Sequence, residues 1–187
     1  MLLTVLGLRF GDEGKAKALD VLGQLARVDV GVRPSGAGNT GATVVHPQYG
    51  RLVFHQIPVP IISNDDALAI IGPGVAVDPV RFWDEIAMLK TAGVPNIQGR
   101  IKIDFRASLT MPWHMAFEKA LEAWMGKKAV GSTLRGVGPT TVWDALRRSV
   151  RVGDLLDEKL FQQKISDALH LSKALIKALD GEAAPQE

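Results

Sequence analysis

The chain opens around the glycine-rich segment Gly7-Leu8-Arg9-Phe10-Gly11-Asp12-Glu13-Gly14-Lys15. The apolar run before it, residues 2–8, is typical of a buried strand in an α/β sheet. The apolar residues after it recur at helical spacing over residues 15–25. The chain is therefore predicted to begin as a strand, a glycine-rich turn and a helix.

This turn has the features of an anion-binding site. A helix N-terminus offers unbonded peptide N–H groups and the positive end of the helix dipole. Lys15 would add a positive charge, and Asp12 could hold Mg²⁺ or accept a proton. The segment departs from the Walker A motif, because Arg9 stands at the first glycine position and Ala16 follows Lys15. From spacing alone, a tight turn with solvated charges remains the alternative.

The rest of the sequence alternates between short apolar runs and segments of helical periodicity. Strands are predicted at residues 28–32, 67–71 and 101–105, a hairpin at 43–45 with 52–57, a loop at 35–41, and helices at 79–90, 112–124, 142–151 and 157–179. The strand at 67–71 is expected to end at Gly72-Pro73-Gly74. This alternation predicts an α/β fold with a mostly parallel central sheet flanked by helices.

Composition excludes several classes of protein. The chain has 187 residues, of which 47% are hydrophobic and 22% charged, with a formal net charge of +2 and no cysteine. A disulfide framework and a cysteine-based site are excluded, and the charge excess is too small to indicate a nucleic-acid or membrane partner. No apolar window is long enough to cross a bilayer, so a cytoplasmic location is expected.

Several ordered blocks resemble the N-terminal portion of the adenylosuccinate synthetase family. Residues Phe10–Lys17 match the family opening Trp/Phe-Gly-Asp-Glu-Gly-Lys-Gly-Lys with one change, Ala16 for Gly. Further blocks follow in the family's order at residues 33–43, 55–58, 71–75, 131–139 and 151–155. The resemblance implies a P-loop-NTPase-like fold, incomplete relative to full-length adenylosuccinate synthetase. It implies a nucleotide-binding domain over residues 1–157, followed by a C-terminal helix and polar tail over 158–187.

The resemblance also implies a reaction. In the family, GTP phosphorylates the 6-oxygen of IMP, and the amine of aspartate then displaces that phosphate to give adenylosuccinate, a step of AMP biosynthesis. Phosphorylation turns a poor leaving group into a good one, so catalysis depends on positioning the phosphoryl group and neutralising its charge.

Site residues follow by motif. Asp12 resembles the family's base, with Lys15 beside it, and Asp12 and the Gly41 carbonyl would hold Mg²⁺. The residues expected to contact the GTP phosphates are Gly11, Asp12, Glu13, Gly14, Lys15, Lys17, Gly41 and Thr43. Asn39, Thr40 and Thr133 would contact IMP. Arg147 matches an arginine that reaches the IMP phosphate of the neighbouring subunit, which implies a homodimer.

Two departures from the family leave alternatives open. Ala42 stands where the family has its catalytic histidine, and losing a general acid typically costs on the order of a hundred- to ten-thousand-fold in rate. The family's guanine-recognition and aspartate-binding motifs have no counterpart in residues 158–187. The chain could therefore be a catalytically impaired nucleotide-binding paralogue, one half of a split synthetase, or a ligase for another purine nucleotide.

Overall fold

A computed structural model describes residues 2–8 and 13–181. Its helices are α1 (Lys15–Leu25), α2 (Pro79–Thr91), α3 (Ile97–Arg100), α4 (Pro112–Met125), α5 (Val137–Ala145) and α6 (Glu158–Gly181). Its strands are β1 (Val30–Ala37), β2 (Ala42–His46), β3 (Gly50–Phe54), β4 (Leu68–Val77), β5 (Ile101–Ile103) and β6 (Ser108–Leu109). Short 3-10 turns cover Val59–Ile62, Gly126–Lys128 and Val152–Leu156.

Two sheets are formed. The larger has the strand order β1-β4-β5, with β6 also pairing to β4, and β4 runs parallel to both β5 and β6. The smaller is the antiparallel hairpin of β2 and β3, in the register Ala42↔Phe54 to His46↔Gly50. The predicted α/β class, its parallel strands and the hairpin are confirmed.

The chain divides into two compact units. The first comprises residues 1–36, 40–75 and 80–103, and the second comprises 37–39, 76–79 and 104–187. The first unit has an apolar core of buried side chains from both sheets, α2 and their connections: Val44, Leu52, Phe54, Ile57, Val59, Ile61, Ile62, Ala69, Ile86, Leu89, Val94, Ile97 and Ile101. In the second unit, α4 packs against α5 and α6. Across the part of the chain with described coordinates, no helix combines the length and the apolar character needed to cross a membrane.

The segment Gly72-Pro73-Gly74 does not end a strand as predicted, because β4 continues through it to Val77. A Cβ on Gly72 would lie 3.0 Å from the Arg33 carbonyl oxygen, and one on Gly74 would lie 2.8 Å from that of Pro34. The glycines therefore allow β4 to pass close to the backbone of β1, which is the other common use of glycine inside a strand.

The N-terminal apolar run does not form the predicted buried strand. Residues 2–8 lack strand structure, and Leu2 and Leu8 are 91% and 97% exposed. A strand requires a neighbour that bonds its peptide groups. Within the described residues, no strand pairs with this run.

Other element boundaries differ because of local geometry. The predicted strand at 28–32 begins at Val30 and extends to Ala37, so the predicted loop is shortened to residues 38–41. The predicted basic helix at 142–151 is α5, which ends at Ala145 before Arg147 adopts a φ of 59°. The last helix begins as predicted, since the Asp157 carboxylate accepts the Leu160 N–H at 3.0 Å.

A buried polar cluster in the second unit joins α4 to α5. His114 is fully buried, and its Nδ1 accepts the Met111 N–H at 3.1 Å. The Thr140 hydroxyl lies 3.0 Å from the same nitrogen and donates to the Gly136 carbonyl at 2.7 Å. Burial lowers the pKa of His114 from 6.5 to about 4, so this imidazole is neutral near pH 7.

Gly74→Ala should destabilise the protein, because the added methyl group meets the Pro34 carbonyl oxygen at 2.8 Å. We expect a loss of about 1–3 kcal/mol in the free energy of unfolding, measured by urea denaturation. Gly138→Ala is the control, because its Cβ would meet no atom nearer than Glu118 Oε1 at 4.0 Å. Equal midpoints for the two variants would show that β4 does not need glycine here.

His114 should make stability depend on acid pH. Burial depresses the pKa of His114 in the folded state. As the pH falls from 6.5 to about 4, the imidazole is therefore protonated in the unfolded chain but stays neutral in the folded chain. The free energy of unfolding should fall over that window by up to about 3 kcal/mol. His114→Asn retains an acceptor for the Met111 N–H and has no imidazole to titrate, so its unfolding profile should be flatter. Parallel pH profiles for the two proteins would contradict this.

Candidate functional site

The structure describes the glycine-rich bend up to Leu8 and again from Glu13 onward. The predicted site residues Gly11 and Asp12 lie outside the described residues. Helix α1 begins at Lys15, directly after Gly14, as predicted. Lys15 and Lys17 are both exposed in the first turn of this helix.

Within this bend, the Glu13 carboxylate is held by the two kinds of donor that a phosphate would use. One of its oxygens accepts the Leu8 peptide N–H, and the other pairs with Lys15 Nζ. The Glu13 carboxylate and Lys15 Nζ crowd the position of a Cβ on Gly7. The bend therefore already gathers a peptide N–H and an ammonium group around a single anion.

The second predicted site segment is the loop before β2. Residues 38 and 39 form a turn, Asn39 and Gly41 are exposed, and Ala42 and Thr43 begin β2 as half-buried residues. Ala42 pairs with Phe54 and packs against the apolar core of the first unit. The small apolar side chain of Ala42 thus has a structural role in the core. It lacks the ring nitrogens with which histidine transfers protons.

Two side chains hold Thr40 in this loop. Arg33 of β1 donates to the Thr40 hydroxyl at 2.8 Å. His55, one residue beyond β3, places its Nδ1 2.7 Å from the Thr40 carbonyl oxygen, and Arg81 of α2 approaches the same nitrogen at 3.1 Å. The loop is thus fixed by groups from β1, from the segment after β3 and from α2.

A buried carboxylate supports this arrangement from α2. Glu85 is 2% exposed, and its two oxygens accept the N–H groups of Gln56 and Ile57 at 2.8 and 3.0 Å. Burial raises the pKa of Glu85, while the peptide N–H groups of residues 55–57 act to lower it. Burial also lowers the pKa of Arg33, and the charge of Glu85 acts to raise it. The charge of Glu85 therefore favours the charged form of Arg33.

No role is predicted from the sequence for Arg33, His55, Arg81 or Glu85. The hairpin supplies a signal for one of them. The register pairs Ala42 with Phe54, so the next residues outward, Gly41 and His55, must be neighbours. The positions of Arg81 and Glu85 have no such local signal, because α2 approaches the loop only in the folded chain.

The remaining site residues lie in the second unit. Thr133 is exposed in the loop that leads to α5, and Arg147 is exposed just after that helix. Glu118 of α4 fixes the start of α5, because its buried carboxylate accepts the Gly136 N–H at 2.6 Å. Asn39 also belongs to the second unit, whereas Glu13, Gly14, Lys15, Lys17, Thr40, Gly41, Ala42 and Thr43 belong to the first.

Two bulky residues near these positions have left-handed backbone conformations. Leu134 has a φ of 54° and Arg147 a φ of 59°. Such conformations are unfavourable for residues other than glycine, asparagine and aspartate. They persist where surrounding structure or function requires them, so both positions are candidates for a functional constraint.

The predicted site residues coincide neither with a metal-binding cluster among the described residues nor with the pocket found in the first unit. Over residues 2–8 and 13–181, no group of three or more His, Cys, Asp or Glu side chains is arranged to hold a metal ion. A depression of about 170 Å³ in the first unit is lined by none of the predicted site residues but by Phe82, Trp83, Ile86, Gln98, Ile101 and Ile103.

Known proteins resemble this chain over almost its whole length. The family model for adenylosuccinate synthetase matches residues 4–187. The adenylosuccinate synthetase of Saccharopolyspora erythraea is 38% identical over 174 residues, which cover 93% of this chain and 40% of the relative. That of Rhodococcus opacus is 38% identical over 191 residues, covering 99% and 43%. The chain thus spans about 40% of the length of these relatives.

Solved structures show the same relationship. The fully ligated adenylosuccinate synthetase of Plasmodium falciparum matches with a TM-score of 0.82 at 25% identity, over 92% of this chain and 39% of that one. A cyanophage S-2L succinoaminodeoxyadenylate synthetase, bound to dGMP and to dATP as an energy donor, matches with a TM-score of 0.62 at 25% identity, over 86% and 45%. The family model and these relatives together show that the chain belongs to the adenylosuccinate synthetase family.

Proposed function

We propose that this chain forms the part of an adenylosuccinate synthetase that binds nucleotide phosphates for the GTP-dependent ligation of aspartate to IMP. One observation carries the proposal: the family match spans residues 4–187 and includes the bend from Phe10 to Lys17 with one substitution. The pairing of Glu13 with a peptide N–H and Lys15 supports it, because these donors suit phosphate oxygens.

In this proposal the GTP phosphates lie along the bend, against Gly11, Asp12, Glu13, Gly14, Lys15 and Lys17, with Gly41 and Thr43 nearby. IMP is contacted by Asn39, Thr40 and Thr133. Asp12 takes the proton from N1 of IMP, which makes the 6-oxygen a better nucleophile for the phosphoryl group. The bonds from Arg33 and His55 to Thr40 would keep that part of the loop in one conformation before the nucleotide arrives.

Magnesium is expected to be held by the Asp12 carboxylate and the Gly41 carbonyl. The donor types fit, because Mg²⁺ prefers oxygen ligands and is usually held by one or two protein groups together with substrate phosphates. Gly41 is exposed, which leaves its carbonyl region accessible. When bound, the ion would neutralise charge on the transferred phosphoryl group.

Arg147 is proposed to contact the IMP phosphate of a neighbouring subunit in a homodimer. A planar guanidinium suits bidentate binding of phosphate. Its left-handed backbone supports a functional role, since glycine would be the favoured residue at this position after a helix.

Lys15→Ala tests the phosphate site. Titration calorimetry of the whole chain should show binding of Mg²⁺·GTP and IMP, and Lys15→Ala should weaken Mg²⁺·GTP binding at least about tenfold, because a charged donor is lost. Lys90→Ala, at the other end of a different helix, is the control and should bind as the parent does. Parallel titrations with dATP and dGMP establish which nucleotides the site prefers.

The same preparations should be incubated with aspartate, and adenylosuccinate followed by absorbance. Product above background would establish the full reaction. Nucleotide binding without product would retain the phosphate site and reject catalysis by this chain alone. If the chain binds none of these nucleotides, the proposal is rejected.

Arg147→Gly should have opposite effects on the stability of the fold and on the affinity for IMP. Removing the strained side chain should raise the free energy of unfolding by about 1 kcal/mol, while IMP affinity should fall because the guanidinium is lost. Arg148→Gly is the matched control, since Arg148 is equally exposed and next in sequence but has no proposed contact with IMP. Unchanged IMP affinity in Arg147→Gly would contradict this role.

A further inference from the structure

The two faces of the larger sheet differ in how far they are covered. Successive residues of a strand point to opposite faces, so Ala69 and Ile71 of β4 share one face while Leu68 and Ile70 share the other. Ala69 and Ile71 are fully buried, and Ala69 belongs to the apolar core. Leu68 and Ile70 are only partly buried. The core therefore lies on the face of Ala69, which we call the inner face.

Strand β1 shows the same division. A Cβ on Gly31 would lie 2.8 Å from the Cβ of the buried Pro60, so Gly31 points to the inner face. Val30 and Val32 flank Gly31 and point the opposite way, where they are 44% and 56% exposed. The opposite face thus presents an apolar surface, which we call the outer surface. Its members are Val30, Val32, Leu68 and Ile70.

The helices of the first unit all pack on the inner side. Residues of α1, α2 and α3 belong to the apolar core or pack against it. Strand β4 runs parallel to β5 and β6, and parallel strands are normally covered by helices on both faces of their sheet. The outer surface is therefore an apolar face of a parallel sheet that the described residues leave exposed to water.

The length of the relatives indicates what covers this surface. The match spans 40% of the Saccharopolyspora erythraea synthetase and 39% of the solved Plasmodium falciparum chain. More than half of each protein therefore lies outside the match, which is enough chain to supply a second layer of helices. Strands β1 and β5 stand at the two ends of the strand order β1-β4-β5, so further strands can also join there.

We propose that the outer surface is the docking face for the remaining part of an adenylosuccinate synthetase, which covers Val30 and Val32 with an apolar layer of its own. Removing these side chains from water favours the association. The inference concerns an interaction surface and goes beyond the nucleotide site. It rests on membership of the family and does not depend on nucleotide binding by this chain.

Cysteine labelling can test whether this face is covered, because the chain has no cysteine of its own. A chimera joins this chain to the part of the Saccharopolyspora erythraea synthetase that lies outside the match. Val32→Cys places a thiol on the outer surface. Val45→Cys is the matched control, since Val45 is a strand valine that is 72% exposed on the hairpin. Maleimide labelling at each site is followed by peptide mass spectrometry, in the isolated chain and in the chimera.

We expect Val32→Cys to react readily in the isolated chain and at least about tenfold more slowly in the chimera, because a buried thiol is inaccessible to the reagent. Val45→Cys should react at the same rate in both proteins. Val32→Glu gives a second measurement. Its carboxylate is hydrated in the isolated chain but would be buried without a partner in the chimera, so only the chimera should melt at a lower temperature.

Three outcomes would overturn the inference. If Val32→Cys reacts equally fast in the chimera and in the isolated chain, the rest of the synthetase leaves the outer surface open. If labelling slows equally at Val32→Cys and Val45→Cys, the added part does not select this surface. If Val32→Cys already reacts slowly in the isolated chain, the surface is covered without the partner, by a second copy where gel filtration gives a dimer. None of these measurements uses a nucleotide, so failure of the proposed phosphate site would not affect them.

Discussion

The arrangement of the first unit depends on one buried carboxylate. Glu85 receives two consecutive peptide N–H groups from the residues after β3, and so joins α2 to the end of the hairpin. A buried carboxylate is stable only when its oxygens are satisfied, and these bonds provide that. They also position His55, which in turn holds Thr40 and the loop before β2. Loop geometry at the proposed phosphate site is therefore set from a helix that contributes none of the motif residues.

Local rules predicted most of the elements and failed where backbone packing decided. Helices α1, α2 and α4 and the β2–β3 hairpin follow from periodicity and turn residues, and the structure reproduces them. Gly72-Pro73-Gly74 satisfied the rule for a chain break, but these glycines fit β4 against β1. Both uses of glycine leave the same sequence pattern, and only the neighbouring strand distinguishes them. The apolar run at residues 2–8 illustrates the converse, since apolar character without a pairing strand does not make a strand.

The candidate site was predictable to the extent that its residues form motifs. Lys15 at the start of α1 and the exposed Gly41 lie where the motif analysis placed them, whereas the roles assigned to them are tested only by binding experiments. Arg81 and Glu85 belong to α2, which meets the loop only in the folded chain, whereas Arg33 lies on β1 directly before the loop. Arg33 bonds to Thr40, Arg81 contacts His55, and Glu85 accepts peptide N–H groups. No motif spacing in the sequence predicts these contacts. Sequence motifs thus identified candidate ligand contacts, and the structure identified the residues that orient the loop.

The replacement of histidine by alanine at position 42 has a different meaning in the folded chain than in the sequence. Ala42 faces the apolar core of the first unit. The residue that faces Ala42 across the hairpin is Phe54, and successive residues of a strand point to opposite faces of the sheet. His55, one position beyond Phe54, contacts the backbone of the loop before β2 at the Thr40 carbonyl. Ala42 and His55 can divide between them two tasks, core packing and polar contact, that are difficult for one side chain to perform together.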